Sequence, residues 1–168
     1  MHQFSLPSRS FGVAARSLFH ARPNLAAALQ ASLLAGTALL LVLGFIGVVA
    51  YDESPWRLLR GIAAVLRGPD ILDDPDEFDF AIVATGLALF YAVATLYGAA
   101  LSFLLGDSPP RYAIAIGAAY GFALYSALFH GLASAYPWLS AYRTADTLVA
   151  CVLYGALLAR AYGAFRHE

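Results

Sequence analysis

The sequence predicts an all-α membrane protein: four transmembrane helices in an up-down bundle, with a short interfacial amphipathic helix between the first and second. Three observations carry this. Pro23 through Tyr51 is a run of 29 residues without a formal charge, centred on LLAGTALLLVLGFIGVVAY. About 20 predominantly apolar residues in a helix cross the roughly 30 Å hydrocarbon core of a bilayer and satisfy their own backbone there. Further charge-poor stretches of spanning length follow at about 80–106, 112–135 and 144–163. Finally, 61% of the residues are hydrophobic, 12% are charged and the mean hydropathy is +0.69. Soluble domains run near 45–50% apolar and about 25% charged, so a soluble globular fold is excluded.

Residues 1–23 form an N-terminal segment with Arg9, Arg16 and Arg22 and no acid. They could open a signal peptide cleaved after Val48-Val49-Ala50, but the apolar run exceeds the 7–15 residues of a secretory core. The run is therefore expected to stay as the first span, 24–51. The acid-poor start fits an organellar transit peptide only superficially. Asp52-Glu53-Ser54-Pro55 then breaks to water, with Ser54 as N-cap and Pro55 at the first helical position.

The interfacial helix, 55–67, places Arg57, Arg60 and Arg67 on one side and Leu58, Leu59, Ile62, Val65 and Leu66 on the other. Trp56 is its belt anchor and Gly68-Pro69 stops it. The acidic loop 68–79 carries six carboxylates between Asp70 and Asp79. A divalent-cation site fits poorly, because the alternating ligands, central Gly and closing Glu of an EF-hand are missing. Helix capping explains more: Asp74 as N-cap, Pro75 next, and Glu77 completing a capping box.

The second span, 80–106, returns through Asp107-Ser108-Pro109-Pro110-Arg111, so the second and third spans are expected to form an antiparallel hairpin. The third, 112–135, exits at Pro137 and Trp138. The fourth, 144–163, is capped by Thr144, and Arg160 snorkels to the headgroups. The transmembrane domain thus covers 24–165, with both termini on one side. Six arginines (9, 16, 22, 111, 160, 166) fall on the terminal side and four (57, 60, 67, 143) on the other, which favours cytoplasmic termini and an external acidic loop.

Spans associate in lipid through close packing of small residues. The third span offers Ala113, Gly117 and Gly121 at spacing four; the fourth offers Cys151, Gly155, Ala159 and Gly163; the second offers Ala84, Ala88 and Ala92. Packing within one bundle is the expected use of Gly117, Gly121, Gly155 and Ala159. Tyr-Gly pairs recur at 97–98, 120–121, 154–155 and 162–163. Residual duplication would produce them, but both residues are common here and coincidence is preferred.

Polar side chains in the apolar regions are candidates for function. They are Gln30, His130 and Asp146, with Tyr91 and Arg143 beside them. His130 could ligate haem or relay protons. The other histidines (2, 20, 167) belong to the opposite side, so an interfacial histidine bonded to a carbonyl or to Ser126 is preferred. Asp146 is expected in the first turn of the fourth span, near the surface and anchored by Arg143. Lone Cys151 reads as a small buried residue. No HExxH pair, GxSxG elbow or phosphate-cradling glycine loop is present. No catalytic residue, metal ligand or cofactor is expected, and a net charge of −1 gives no basic surplus for nucleic acid.

Basic residues that are all arginine, with abundant alanine, suggest a GC-rich bacterial genome. On Ala35-Gly36, Glu53-Ser54-Pro55-Trp56-Arg57-Leu58-Leu59, the short helix ending at Gly68, Tyr97-Gly98 and Tyr120-Gly121, the chain resembles small bacterial four-helix inner-membrane proteins of unknown function. Some of these are labelled sodium:proline symporters, although one short bundle lacks the repeats of such transporters. The resemblance implies histidines early in the second span and in the fourth; Tyr91 and Asp146 stand there instead.

Together these readings predict a multi-pass inner (plasma) membrane protein in the lipid bilayer. The expected role is a non-enzymatic accessory or structural subunit, partnered by other membrane subunits or by self-association. The alternative is a small transporter or an ion- or proton-conducting oligomer using Asp146, His130 or Tyr91.

Overall fold

A computed structural model describes residues 24–74, 76–106 and 108–166. The N-terminal segment, Pro75, Asp107 and residues 167–168 lie outside the described residues. With them lie the expectations for Arg9, Arg16 and Arg22, for Pro75 as a helix start, and for His2, His20 and His167.

The described residues form five α-helices: α1 (Leu25–Tyr51), α2 (Arg57–Arg67), α3 (Phe80–Leu105), α4 (Pro110–Tyr125) and α5 (Ala145–Phe165). Among the described residues four stretches are long and apolar enough to cross a membrane: α1, α3, α5, and α4 with its continuation to Ser134. This is an all-α four-helix bundle and an integral, multi-pass membrane protein.

Each start has a local cause. Asn24 caps α1 by accepting from the Ala27 amide at 3.1 Å. Thr144 caps α5, accepting from the Thr147 amide at 3.2 Å. The α3 cap corrects the capping-box expectation. Asp79, not Asp74, holds the helix start, its Oδ1 accepting from the amides of Ala81 and Ile82 at 2.7 and 3.1 Å. Two acidic caps five residues apart compete, and the one adjoining the apolar run wins. Similarly, α2 starts at Arg57, with Trp56 in the cap position, two residues after the expected start.

The spans do not pack in chain order. Helix α5 lies between α4 and α1, and α1 lies between α5 and α3. Helices α3 and α4, joined by a tight turn, barely pack, which corrects the expected hairpin; the Tyr120 hydroxyl reaches across to the Tyr97 carbonyl at 3.0 Å. Small residues set the close seams. A methyl added at Gly117 or Gly155 would overlap the carbonyl oxygen of the other, and one at Gly121 would overlap that of Cys151. Ala159 lies against Gly117 and is fully buried.

On α3 the inward strip is Gly86, Ala94, Gly98 and Ser102, all buried. Ala88 and Ala92, of the strip expected from spacing, are exposed. Gly86 seats the α2 backbone at Leu59, and Gly98 seats Ser32 of α1. The first three Tyr-Gly pairs do one job. Each glycine admits a neighbouring helix, and the tyrosine beside it (97, 120, 154) packs on or within the core.

Hydrogen bonds tie the ends. At one end the Asn24 amide donates to the Tyr162 hydroxyl at 3.3 Å, and Arg166 donates to the Gly106 carbonyl. At the other end gather Tyr51, α2, the acidic loop, and a 3-10 segment, Pro137–Tyr142, that leads into α5.

Candidate functional site

The second end holds most of the polar side chains. It is built in two layers.

The inner layer centres on Arg60. Periodicity assigns the arginines of α2 to one face, and of the three the structure buries only Arg60, leaving Arg67 exposed. Leu59, Arg60, Gly61, Ala63 and Ala64 are buried, whereas Leu66 on the apolar side is 66% exposed. Arg60 itself is only 4% exposed. Its Nε and Nη2 donate to the Ile71 carbonyl at 3.2 and 3.0 Å, and its Nη1 donates to the Glu77 carbonyl. One guanidinium thereby folds the acidic loop back over α2. The buried strip joins Leu59 of the apolar side to Arg60 and to the small residues beside it, which let α2 approach α3 at Gly86. Trp56 packs edge-on against Phe78 of the same loop, with centroids 4.8 Å apart. The six carboxylate side chains all belong to exposed residues. Among the described residues no group of three His, Cys, Asp or Glu converges as metal ligands would.

The outer layer is a cleft of about 100 Å³ between the end of α1, the start of α2 and the turn into α5. Tyr51, Glu53, Arg57, Tyr142 and Thr144 supply its polar lining. Arg57 Nε and Glu53 Oε1 are 3.4 Å apart. Tyr142 lies over Gly61, and Trp138 Nε1 donates to the Gly61 carbonyl at 3.2 Å, so that glycine docks the whole 137–142 segment on α2. Burial pushes the Tyr142 phenol above its ordinary range; the Glu53 carboxylate adds to the shift and Arg57 opposes it.

Asp146 sits in the first turn of α5, exposed, and accepts from the Tyr51 hydroxyl at 2.8 Å. Arg143, its expected anchor, turns away. Its Nε donates at 2.6 Å to the carbonyl of Phe129, in the π-helical turn Ser126–Gly131 that continues α4. A π turn widens the backbone and is common at functional sites; here it sits where a carbonyl meets an arginine. His130, in the same turn, is exposed and lies edge-on to Tyr125 at 5.5 Å. No hydrogen bond joins it to Ser126, whose hydroxyl donates to the Phe122 carbonyl. Tyr91 lies elsewhere, its hydroxyl 2.8 Å from Thr37 Oγ1 across the α1–α3 seam.

Comparison of the chain with family models, with curated proteins and with solved structures finds no match.

The structure therefore brings Asp146, Arg143 and His130 to one end without joining them, and leaves Tyr91 in a separate contact. Sequence reasoning missed Tyr51, Glu53, Arg57 and Tyr142 as a group. Their shared signal was proximity to the aqueous break at 52–55; Tyr142 carried none. A further feature lies in the core. The Tyr154 hydroxyl is buried without a hydrogen-bond partner, a cost of roughly 1–3 kcal/mol.

Proposed function

We propose that this membrane protein is a non-enzymatic accessory or structural subunit, associating with another membrane protein or with copies of itself. The strip on the outward side of α3 carries the reading. Ala88 and Ala92 are exposed there, with half-buried Ala84 in line, while Gly86, Ala94, Gly98 and Ser102 are occupied inside. Small residues are where spans approach closely in lipid, and this strip still faces outward once the chain's own packing is complete. The resemblance to small bacterial inner-membrane proteins supports a place in the plasma membrane. The six-to-four arginine distribution supports cytoplasmic termini.

Native mass spectrometry in mild detergent is expected to show an oligomer or a co-purifying subunit. Ala88→Leu combined with Ala92→Leu is expected to release it with the fold intact, because both positions are exposed. A wild-type protein that runs as a monomer, with nothing bound, overturns the reading.

A further inference from the structure

Helix α1 is packed along only half its length. Its buried residues are Ala27, Ala28, Ala31, Ser32, Ala35 and Gly36, and none from Thr37 to Tyr51 is buried. Beside this unpacked half runs an apolar groove of about 670 Å³, lined by Leu40, Leu41, Phe45, Val48 and Leu59 among others. That size lies within the roughly 300–1,000 Å³ of small-molecule pockets. Gly44, Ile46, Pro55 and Leu58 line both the groove and the polar cleft, so the two adjoin. One end is charged and lies at the mouth of the bundle; the rest is apolar and descends along a membrane span. From Leu40 to Val48 the helix rises about 12 Å, close to the ~15 Å of one leaflet of a 30 Å hydrocarbon core.

The charges at the polar end select the occupant. Glu53 and Arg57 form a partly exposed pair, side chains 27% and 43% accessible, and Asp146 is held one hydrogen bond away by Tyr51. We propose that this composite site binds one aminophospholipid, its phosphate on Arg57, its primary ammonium between Glu53 and Asp146, and one acyl chain in the groove. A headgroup with one charge of each sign engages both members of the Glu53–Arg57 pair and leaves neither unmatched. An anionic glycerol headgroup would reach Arg57 only by setting its charge against two carboxylates, a repulsion that works as selectivity. A choline headgroup has the right charges but no N–H, so it cannot make charge-assisted hydrogen bonds to Glu53 or Asp146. An exposed ion pair contributes little on its own, so opening it for the headgroup loses little. The site lies on the α1–α2 side, on different helices from the alanine strip of α3.

The test uses the full chain, delipidated by detergent exchange. It is then incubated with an equimolar mixture of phosphatidylethanolamine, phosphatidylcholine and phosphatidylglycerol bearing identical acyl chains. Native mass spectrometry is expected to show ethanolamine adducts about tenfold over either competitor. Glu53→Gln is expected to bring the three headgroups near parity. Gly44→Leu is expected to reduce all three together, since it fills the groove from a position where an added Cβ meets nothing within 4 Å and so leaves the fold intact. Equal retention of the three lipids by wild type overturns the proposal, as do ethanolamine adducts that survive both substitutions. It is also overturned if Gly44→Leu splits an oligomer while lipid retention stays unchanged, because a second copy would then occupy the groove.

Discussion

The α4–α5 seam and the α1–α2 mouth are both lined by glycines, and Gly44 at the mouth means the opposite of the glycines at the seam. At the seam Gly117, Gly121 and Gly155 bring two backbones so close that no methyl group fits. At the mouth Gly44 faces open space, and the elements are held by directed polar bonds. Arg60 reaches carbonyls of the acidic loop, Trp138 reaches Gly61, Tyr51 reaches Asp146 and Arg143 reaches Phe129. Spans approach through van der Waals contact wherever small residues allow it, and side-chain hydrogen bonds add to this at the mouth as they do between Tyr120 and Tyr97. The difference teaches that a small residue in a span is a permission. Whether a neighbour uses it depends on what the rest of the chain brings alongside.

Substitutions can break this contrast, and their effects should fall in a clear order. Gly155→Leu should prevent the seam from closing, giving loss of a monodisperse peak on size exclusion; the milder Gly155→Ala should cost about 1–3 kcal/mol by overpacking, read by chemical denaturation in detergent. Next comes Arg60→Met, which strands the Ile71 and Glu77 carbonyls and should cost about 2–3 kcal/mol. Limited proteolysis should then cut between residues 69 and 79, and Arg60→Lys should restore little, because one ammonium cannot reproduce the forked donors. Gly44→Ala should run the other way, with a gain of about 0.5–1 kcal/mol from helix propensity alone; a loss would show the groove to be closed. Smallest of all, Asp146→Asn should leave the thermal midpoint unchanged within error, since its bond to Tyr51 is exposed. A fall of several degrees would make the mouth as structural as the seam.

The spans were legible because lipid imposes one dominant rule, a long stretch with few charges, and the chain obeys it four times. The Thr144 cap and the surface position of Asp146 were legible too, as local chemistry next to an apolar run. What could not be read was direction. Ala84, Ala88 and Ala92 have the spacing of an interface as surely as Gly86, Ala94 and Gly98 do, and only the neighbours decide which side turns inward. Helix α2 shows the same ambiguity: its buried strip takes Arg60 from one expected face and Leu59 from the other, with Gly61, Ala63 and Ala64 beside them. Asp146 finds its partner 95 positions away at Tyr51, a pairing that follows from the order in which the helices pack rather than from any motif.

That order has a consequence for biogenesis. The first span emerges long before the last, yet α1 is flanked by α3 and α5, and its opening amide is held by Tyr162, near the C-terminal end of α5. Until α5 is inserted, one side of α1 must wait among acyl chains, and the inward strip of its early half can do so because it is mostly alanine and the Ser32 hydroxyl donates within the helix to the Ala28 carbonyl. The bundle is thus closed by α5, and chains stopped before Ala145 should accumulate as loosely held spans for quality-control proteases to remove.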